Sequence, residues 1–212
     1  MKKSIVLIIT LLFVSAISAL IYQTLEDTDS YMKQQNYKLN KTQLLVSVKN
    51  VQEEISRVFL KNEDAVENIV ENASVFIPLK VKDIDVLFKL KEYEKLDINL
   101  LSKKDEKDYK VLEDLFLDND INDFDSFKFI FKNENKSIWN MAQRDDIIKK
   151  FINETLNSKI ENIKNKIGFL SKTSEEVFYE LFIRVNYLGQ LAKAYYILNK
   201  KGEVKYFELS FK

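Results

Sequence analysis

The chain contains no cysteine and no histidine. The first absence excludes a disulfide framework and thiolate chemistry. The second removes the commonest metal ligand and general base. Gly168, Gly189 and Gly202 are the only glycines, and Pro78 is the only proline. A glycine-rich phosphate loop therefore has nowhere to form. Excess charge of either sign is lacking too, since 33 Lys and Arg balance 33 Asp and Glu. Polyanion binders draw affinity from a basic balance, so nucleic acid is not an expected partner. What is present is a chain of 212 residues, enough for one or two domains with a sizeable core.

Lys2 and Lys3 precede an apolar segment from Ser4 to about Tyr22, with no charge until Glu26. A membrane-spanning helix needs about 20 such residues. A secretory signal needs an apolar core of only about 7–15, followed by a small-residue cleavage site. The length suits a span, while Ala16-Ile17-Ser18-Ala19 offers an A-x-S site for signal peptidase. The segment beyond favours a single long helix. No Gly or Pro occurs before Pro78, so nothing breaks a helix there. Leu44, Leu45, Val48, Val51, Ile55, Val58 and Phe59 recur at spacings of three and four, one apolar stripe. The spacing predicts one helix from the apolar segment to about Leu60, on the order of 85 Å long. With the lysines inside, the rest of the chain lies outside the cytoplasm.

The carboxyl end has a different period. Tyr179, Leu181, Ile183, Val185 and Tyr187 alternate with Glu180, Phe182, Arg184 and Asn186, as in a strand. Gly189 marks a turn, Ala192 to Leu198 reads as a second strand, and Asn199-Lys200-Lys201-Gly202 is a second turn. Val204 to Phe211 completes an antiparallel meander with Phe207, Leu209 and Phe211 on one face. Such a sheet needs a cover, and the stripe of the first helix is the expected one. Between them, Val75 to Leu90 has β character with Pro78 at an edge. Helices are expected over Asp105 to Leu117 and over Asp145 to Ile167. The resulting fold class is α+β. Residues 1–23 form an anchor or leader, 24–77 the amphipathic part of the helix and its exit, 78–170 an inserted strand and helical region, and 171–212 the meander.

A lysine-flanked leader, a long half-apolar helix and a terminal antiparallel sheet together resemble the type IV pilin-like family. Glu94-Lys95-Leu96-Asp97-Ile98-Asn99-Leu100-Leu101 and the helix ending Leu112-Glu113-Asp114-Leu115 are similar to a strand and following helix of K-type minor pseudopilins of type II secretion systems. In those proteins a helical domain is inserted into the pilin fold. The resemblance implies an inner-membrane, single-pass protein with its carboxyl-terminal domain in the periplasm. It also implies other minor pseudopilins as partners through the first helix, work in protein export at a filament tip, and no enzymatic activity. Related DNA-uptake machines share this architecture, and a periplasmic binding protein with a cleaved signal is the competing class.

The resemblance carries over to single positions. Ser4 and Ile5 stand at the prepilin peptidase cut, with Ser4 replacing the usual glycine. Ile9 stands at the fifth mature position, where most pilins have glutamate and K-type proteins do not. A carboxylate in the bilayer is costly unless paired. A subunit placed first has no earlier neighbour to pair with, so an apolar Ile9 fits a tip location. The small Ser15, Ala16 and Ser18 would let neighbouring helices approach. The chain is shorter than typical members, which implies a reduced insertion.

Three further groups carry chemistry or mimic it. Asp118, Asp120 and Asn122 match the first ligand positions of a calcium loop. Asp123 then replaces the required glycine and Phe129 the final glutamate, so a helix-ending loop is the expected role. Calcium is the one ion to consider, because some K-type proteins bind it in the insertion. The acid pairs Asp145-Asp146 and Glu175-Glu176 could serve glycoside hydrolysis only if two carboxylates faced each other, and adjacent acids do not. Trp139 with Phe127, Phe129 and Phe131 is expected to pack in the core.

Overall fold

The computed structural model describes residues 2–61, 63–71, 75–81, 83–103, 105–134, 137–171 and 176–212, and all their side chains except those of 2–9, 63–65 and 106. Helix α1 runs from Lys2 to Lys61 without a break, 60 residues and therefore about 90 Å. Four of its hydroxyl side chains are absorbed locally: Thr24, Thr28, Thr42 and Ser47 each donate to the carbonyl four residues back. Leu44, Val48, Val51, Ile55 and Phe59 are buried along one stripe, as their spacing predicts, whereas Val58 is only partly buried beside them and Leu45, one position round from Leu44, is 41% exposed. A short helix α2, Glu63–Glu71, follows and adds buried Val66 to the same cluster.

The stripe lies on a five-stranded antiparallel sheet of order β1-β2-β5-β6-β7. Its strands are β1 (Ile77–Val81), β2 (Ile84–Glu92), β5 (Phe178–Tyr187), β6 (Gln190–Asn199) and β7 (Val204–Phe211). The expected three-stranded meander is thus extended by two strands. In β2, Val86 and Leu90 are buried against α1, while Asp85, Lys89 and Lys91 alternate with them onto the other face. Pro78 sits on the edge strand, the place in a sheet that best tolerates a missing N–H. The hairpin between β5 and β6 turns through Leu188 and Gly189, both with positive φ.

The far face of the sheet carries the insertion, residues 93–177 between β2 and β5. It contains β3 (Leu96–Asp97), α3 (Glu106–Leu117), α4 (Phe124–Asn133), α5 (Met141–Thr155), α6 (Ile160–Ile163) and β4 (Ile167–Gly168). A second core forms around Phe116, Phe127, Phe151 and Ile163 and meets the sheet at Phe178, Tyr195 and Ile197. The sheet is therefore a shared wall between two cores.

Local chemistry moves three boundaries from where periodicity puts them. Only Leu96 and Asp97 form a strand in the Glu94–Leu101 stretch, and residues 98–102 wind into a 3₁₀ turn. The Asp97 carboxylate accepts the Asn99 backbone N–H at 2.9 Å, which starts that turn. The helix expected over Asp145 to Ile167 begins earlier, at an Asn140 cap, and stops at Thr155. Asn157 accepts from the Lys159 N–H, and its own N–H donates to the Thr155 hydroxyl, so side chains outcompete the helix there. Finally, the aromatic group divides. Phe127 and Phe131 share the inner face of α4 at i, i+4 and are buried, whereas Phe129 and Trp139 are 63% and 69% exposed.

Candidate functional site

Among the described side chains of α1 the first buried one is Leu44, and every one from Thr10 to Gln34 is exposed. That stretch includes Leu11, Leu12, Phe13, Val14, Ile17 and Leu20, each 54–70% exposed. Covering each of them is worth about 1.5–3 kcal/mol. Nothing among the described residues supplies that cover. Ser15, Ala16 and Ser18 lie within the same bare surface. Ser4, Ile5 and Ile9 lie outside the residues whose side chains are described. Among the described residues no helix is long and apolar enough to cross a membrane, and only part of the Ser4–Tyr22 segment has described side chains.

A second apolar surface lies on the folded part, separated from the first by the polar stretch of α1 from Gln23 to Lys41. An apolar groove of ≈ 310 Å³ runs between α1 and the edge of the sheet, walled by Val51, Ile55, Val58, Leu79 and Val81. Leu79 and Val81 are 45% and 48% exposed on the edge strand.

Within the Glu94–Leu101 stretch Asp97, Ile98 and Leu101 are buried, and the stretch works as a structural hub. The Asn99 side-chain amide donates to Asp97 Oδ1 and to the carbonyls of Ile138 and Phe169, and its oxygen accepts from the Ile138 N–H. One side chain thereby ties three segments of the insertion. Lys95 reaches the buried Glu180 carboxylate at 2.7 Å, and Lys91 reaches its other oxygen at 2.7 Å. The Tyr195 hydroxyl donates to the same group at 2.5 Å. Burial alone would raise the Glu180 pKa. The charge of Lys95 and the close approach of Lys91, Lys95 and Tyr195 outweigh it and hold the carboxyl below its usual range. Burial in turn lowers Lys95, against the pull of Glu180. Burial and then the Glu180 charge push Tyr195 up, so its hydroxyl stays protonated. This is a compact ionic cluster gathered on one carboxylate: Lys91 faces Glu180 Oε2 as an ion pair without an aligned hydrogen bond, while Lys95 and Tyr195 engage Oε1. Periodicity could not find Glu180, which reads as an ordinary polar position of a strand.

The remaining candidates take structural places. Asp118 caps α3, and Asp120 turns the chain with φ 54° so that Ile121 plugs the core. The Asp120 carboxylate is 89% exposed and 4.0 Å from Lys159 Nζ. Asn122 is exposed, and Asp123 accepts from Asn157 Nδ2 at 2.9 Å. Among the described residues no group of three or more His, Cys, Asp or Glu side chains could hold a metal. Asp145 pairs with Arg144 and Lys164, and Asp146 with Lys150, so these two acids serve separate ion pairs. Glu175 lies outside the described residues.

Compared with protein-family models, with curated proteins and with solved structures, the chain matches none.

Proposed function

We propose that this chain is a pilin-like, membrane-anchored minor pseudopilin that acts at the tip of a type II secretion or type IV pilus-like assembly, in protein export. One observation carries the reading. A single uninterrupted helix is bare and apolar at its start and lies on an antiparallel sheet at its end. A helix of that kind suits two environments in turn, lipid and then a bundle of like helices. The apolar groove beside α1 offers a separate apolar surface on the folded domain. Ile9 fits a first-placed subunit, which needs no carboxylate to meet a preceding neighbour's amino terminus.

In this reading the domain beyond α1 stands in the periplasm, and prepilin peptidase is the enzyme that would trim the leader. The reading is tested by mass spectrometry of the mature chain from membrane and soluble fractions. A membrane-bound chain that keeps the apolar segment, whole or cut before Ile5, is the expected result. A soluble chain starting near Ala19 or Leu20 would replace the pilin reading with a periplasmic binding protein released from a cleaved signal.

A further inference from the structure

We propose that the basic hollow on the sheet face opposite α1 binds an acidic peptide segment of a partner protein through Lys89, Arg184 and Lys193. The hollow has a volume of ≈ 640 Å³, and six basic side chains line it against two acidic ones, Glu180 and Glu208. This local excess contrasts with a chain whose overall net charge is +0.

Three of the six cations are already used. Lys91 and Lys95 hold Glu180, and Arg144 holds Asp145. The other three lie on consecutive strands. Arg184 on β5 and Lys193 on β6 are direct cross-strand partners, and Lys89 on β2 sits opposite Phe182, two residues from Arg184. Lys89 and Lys193 have no acidic partner among the described residues, and Arg184 only stacks over Phe76, 4.3 Å from the ring centre. Like charges placed directly opposite on a sheet destabilise it. A sheet that keeps such a pair, next to a third cation, has a place prepared for negative charge.

The spacing selects the ligand class. Lys89, Arg184 and Lys193 span three strands, with Lys89 offset by two residues from the other two, so their anchors lie about 5–12 Å apart. An extended peptide sets alternate side chains roughly 6.5–7 Å apart on one side. Two carboxylates in an acid-x-acid pattern can therefore reach different cations at once, while a single small anion reaches only part of the set. Phe182 and Tyr195 floor the hollow between the cations and offer apolar surface to the peptide's side-chain stems. The site needs only the folded sheet and is independent of the membrane half of α1.

The test is fluorescence anisotropy on the full chain in neutral detergent. The probe is a labelled ten-residue peptide alternating Glu and Ser, compared with one alternating Gln and Ser. The Glu peptide is expected to bind at least tenfold more tightly, with affinity falling several-fold between 50 and 200 mM salt. Lys193→Glu should cost at least tenfold in binding. The same change turns the Arg184–Lys193 repulsion into a cross-strand attraction, so the melting temperature should hold or rise. Lys89→Gln should weaken binding several-fold. Lys38→Glu, an equal change of charge on the exposed face of α1, should leave it unchanged. No binding of the Glu peptide at 50 mM salt would overturn the proposal. So would equal binding of the Gln peptide, unchanged binding in Lys193→Glu, or an equal loss in Lys38→Glu.

Discussion

The Ser56 hydroxyl donates a 2.6 Å hydrogen bond to the carbonyl oxygen of Gly202, 146 residues along the chain. The bond fastens the turn between β6 and β7 to α1 and sets how the helix lies on the sheet. Gly202 has φ +73°, and a Cβ there would lie 2.9 Å from Ser56 Cα and from the Ser56 carbonyl oxygen. Both the left-handed backbone and the close approach require glycine. Ser56→Ala should cost about 1 kcal/mol, the usual worth of one hydrogen bond. Gly202→Ala should cost more, because the left-handed conformation alone is worth roughly 1–3 kcal/mol and the helix must also move. Urea unfolding of both variants checks the order. Equal losses would show that the turn can lift from α1 without penalty.

The Glu180 cluster predicts a specific acid sensitivity. The folded carboxyl lies below its ordinary value of 4.5, held there by Lys95, Lys91 and Tyr195 after burial is overcome. Its contribution to stability is therefore fully present above pH 4.5 and is lost as pH falls through the lowered value. Glu180→Gln leaves Lys95 buried without its counter-charge, which should cost about 3 kcal/mol at pH 7. The penalty should shrink as the wild-type carboxyl becomes protonated. Melting curves of both proteins between pH 7 and pH 3 should converge on the acid side. Asp145, also lowered by Arg144 and Lys164 after burial is overcome, leaves both with some acid lability. Parallel curves would mean that the pair contributes nothing to folding.

Residue patterns reveal α1, its buried stripe and the terminal strands because each has one period and one buried face. Leu44 to Phe59 repeat as a helix, and Tyr179 to Tyr187 as a strand. The two cores are harder to read. Phe127, Phe129 and Phe131 look alike in sequence, yet only α4 geometry puts the first and third inside. The stop of α5 depends on the side chain of Asn157, which competes locally and carries no hydrophobic signal. Glu180, Lys91 and Tyr195 come from three strands whose registers fix their meeting, and pairing registers are not written in any one strand. The basic hollow was illegible for the same reason, since Lys89, Arg184 and Lys193 are ordinary alternating positions until the strands are ordered.

Two exposed leucines sit where their backbone is unfavourable. Leu188 has φ 48° beside Gly189 at φ 77°, a two-residue hairpin turn that favours Asn-Gly. Leu156 has φ 57° as the left-handed cap of α5 and is 86% exposed. Leu188→Asn and Leu156→Gly should each stabilise the fold by about 0.5–1 kcal/mol, through relief of strain at the turn and at the cap. Chemical denaturation of the single and double variants would measure this. The two sites are independent, so their gains should add. A loss at Leu156 would show that its side chain makes a contact that outweighs the strain.

The last prediction separates folding from assembly on α1. Ala16 lies in the stretch where every described side chain is exposed, so a larger residue there meets nothing in its own fold. Ala16→Leu should leave the melting temperature unchanged. In the proposed role, small residues at this level let neighbouring helices come close, and packing is what holds helices together in lipid. The same substitution should therefore reduce recovery of the other minor pseudopilins in a pull-down by several-fold. Ile9→Glu probes the tip location. It places a carboxylate at membrane depth, at a cost of roughly 2.5–3.5 kcal/mol, and a first-placed subunit has no preceding amino terminus to offset it. Assembly should fall or stay level. An increase would mean that a preceding neighbour's amino terminus meets the new carboxylate, and the chain would then belong within the filament and not at its tip.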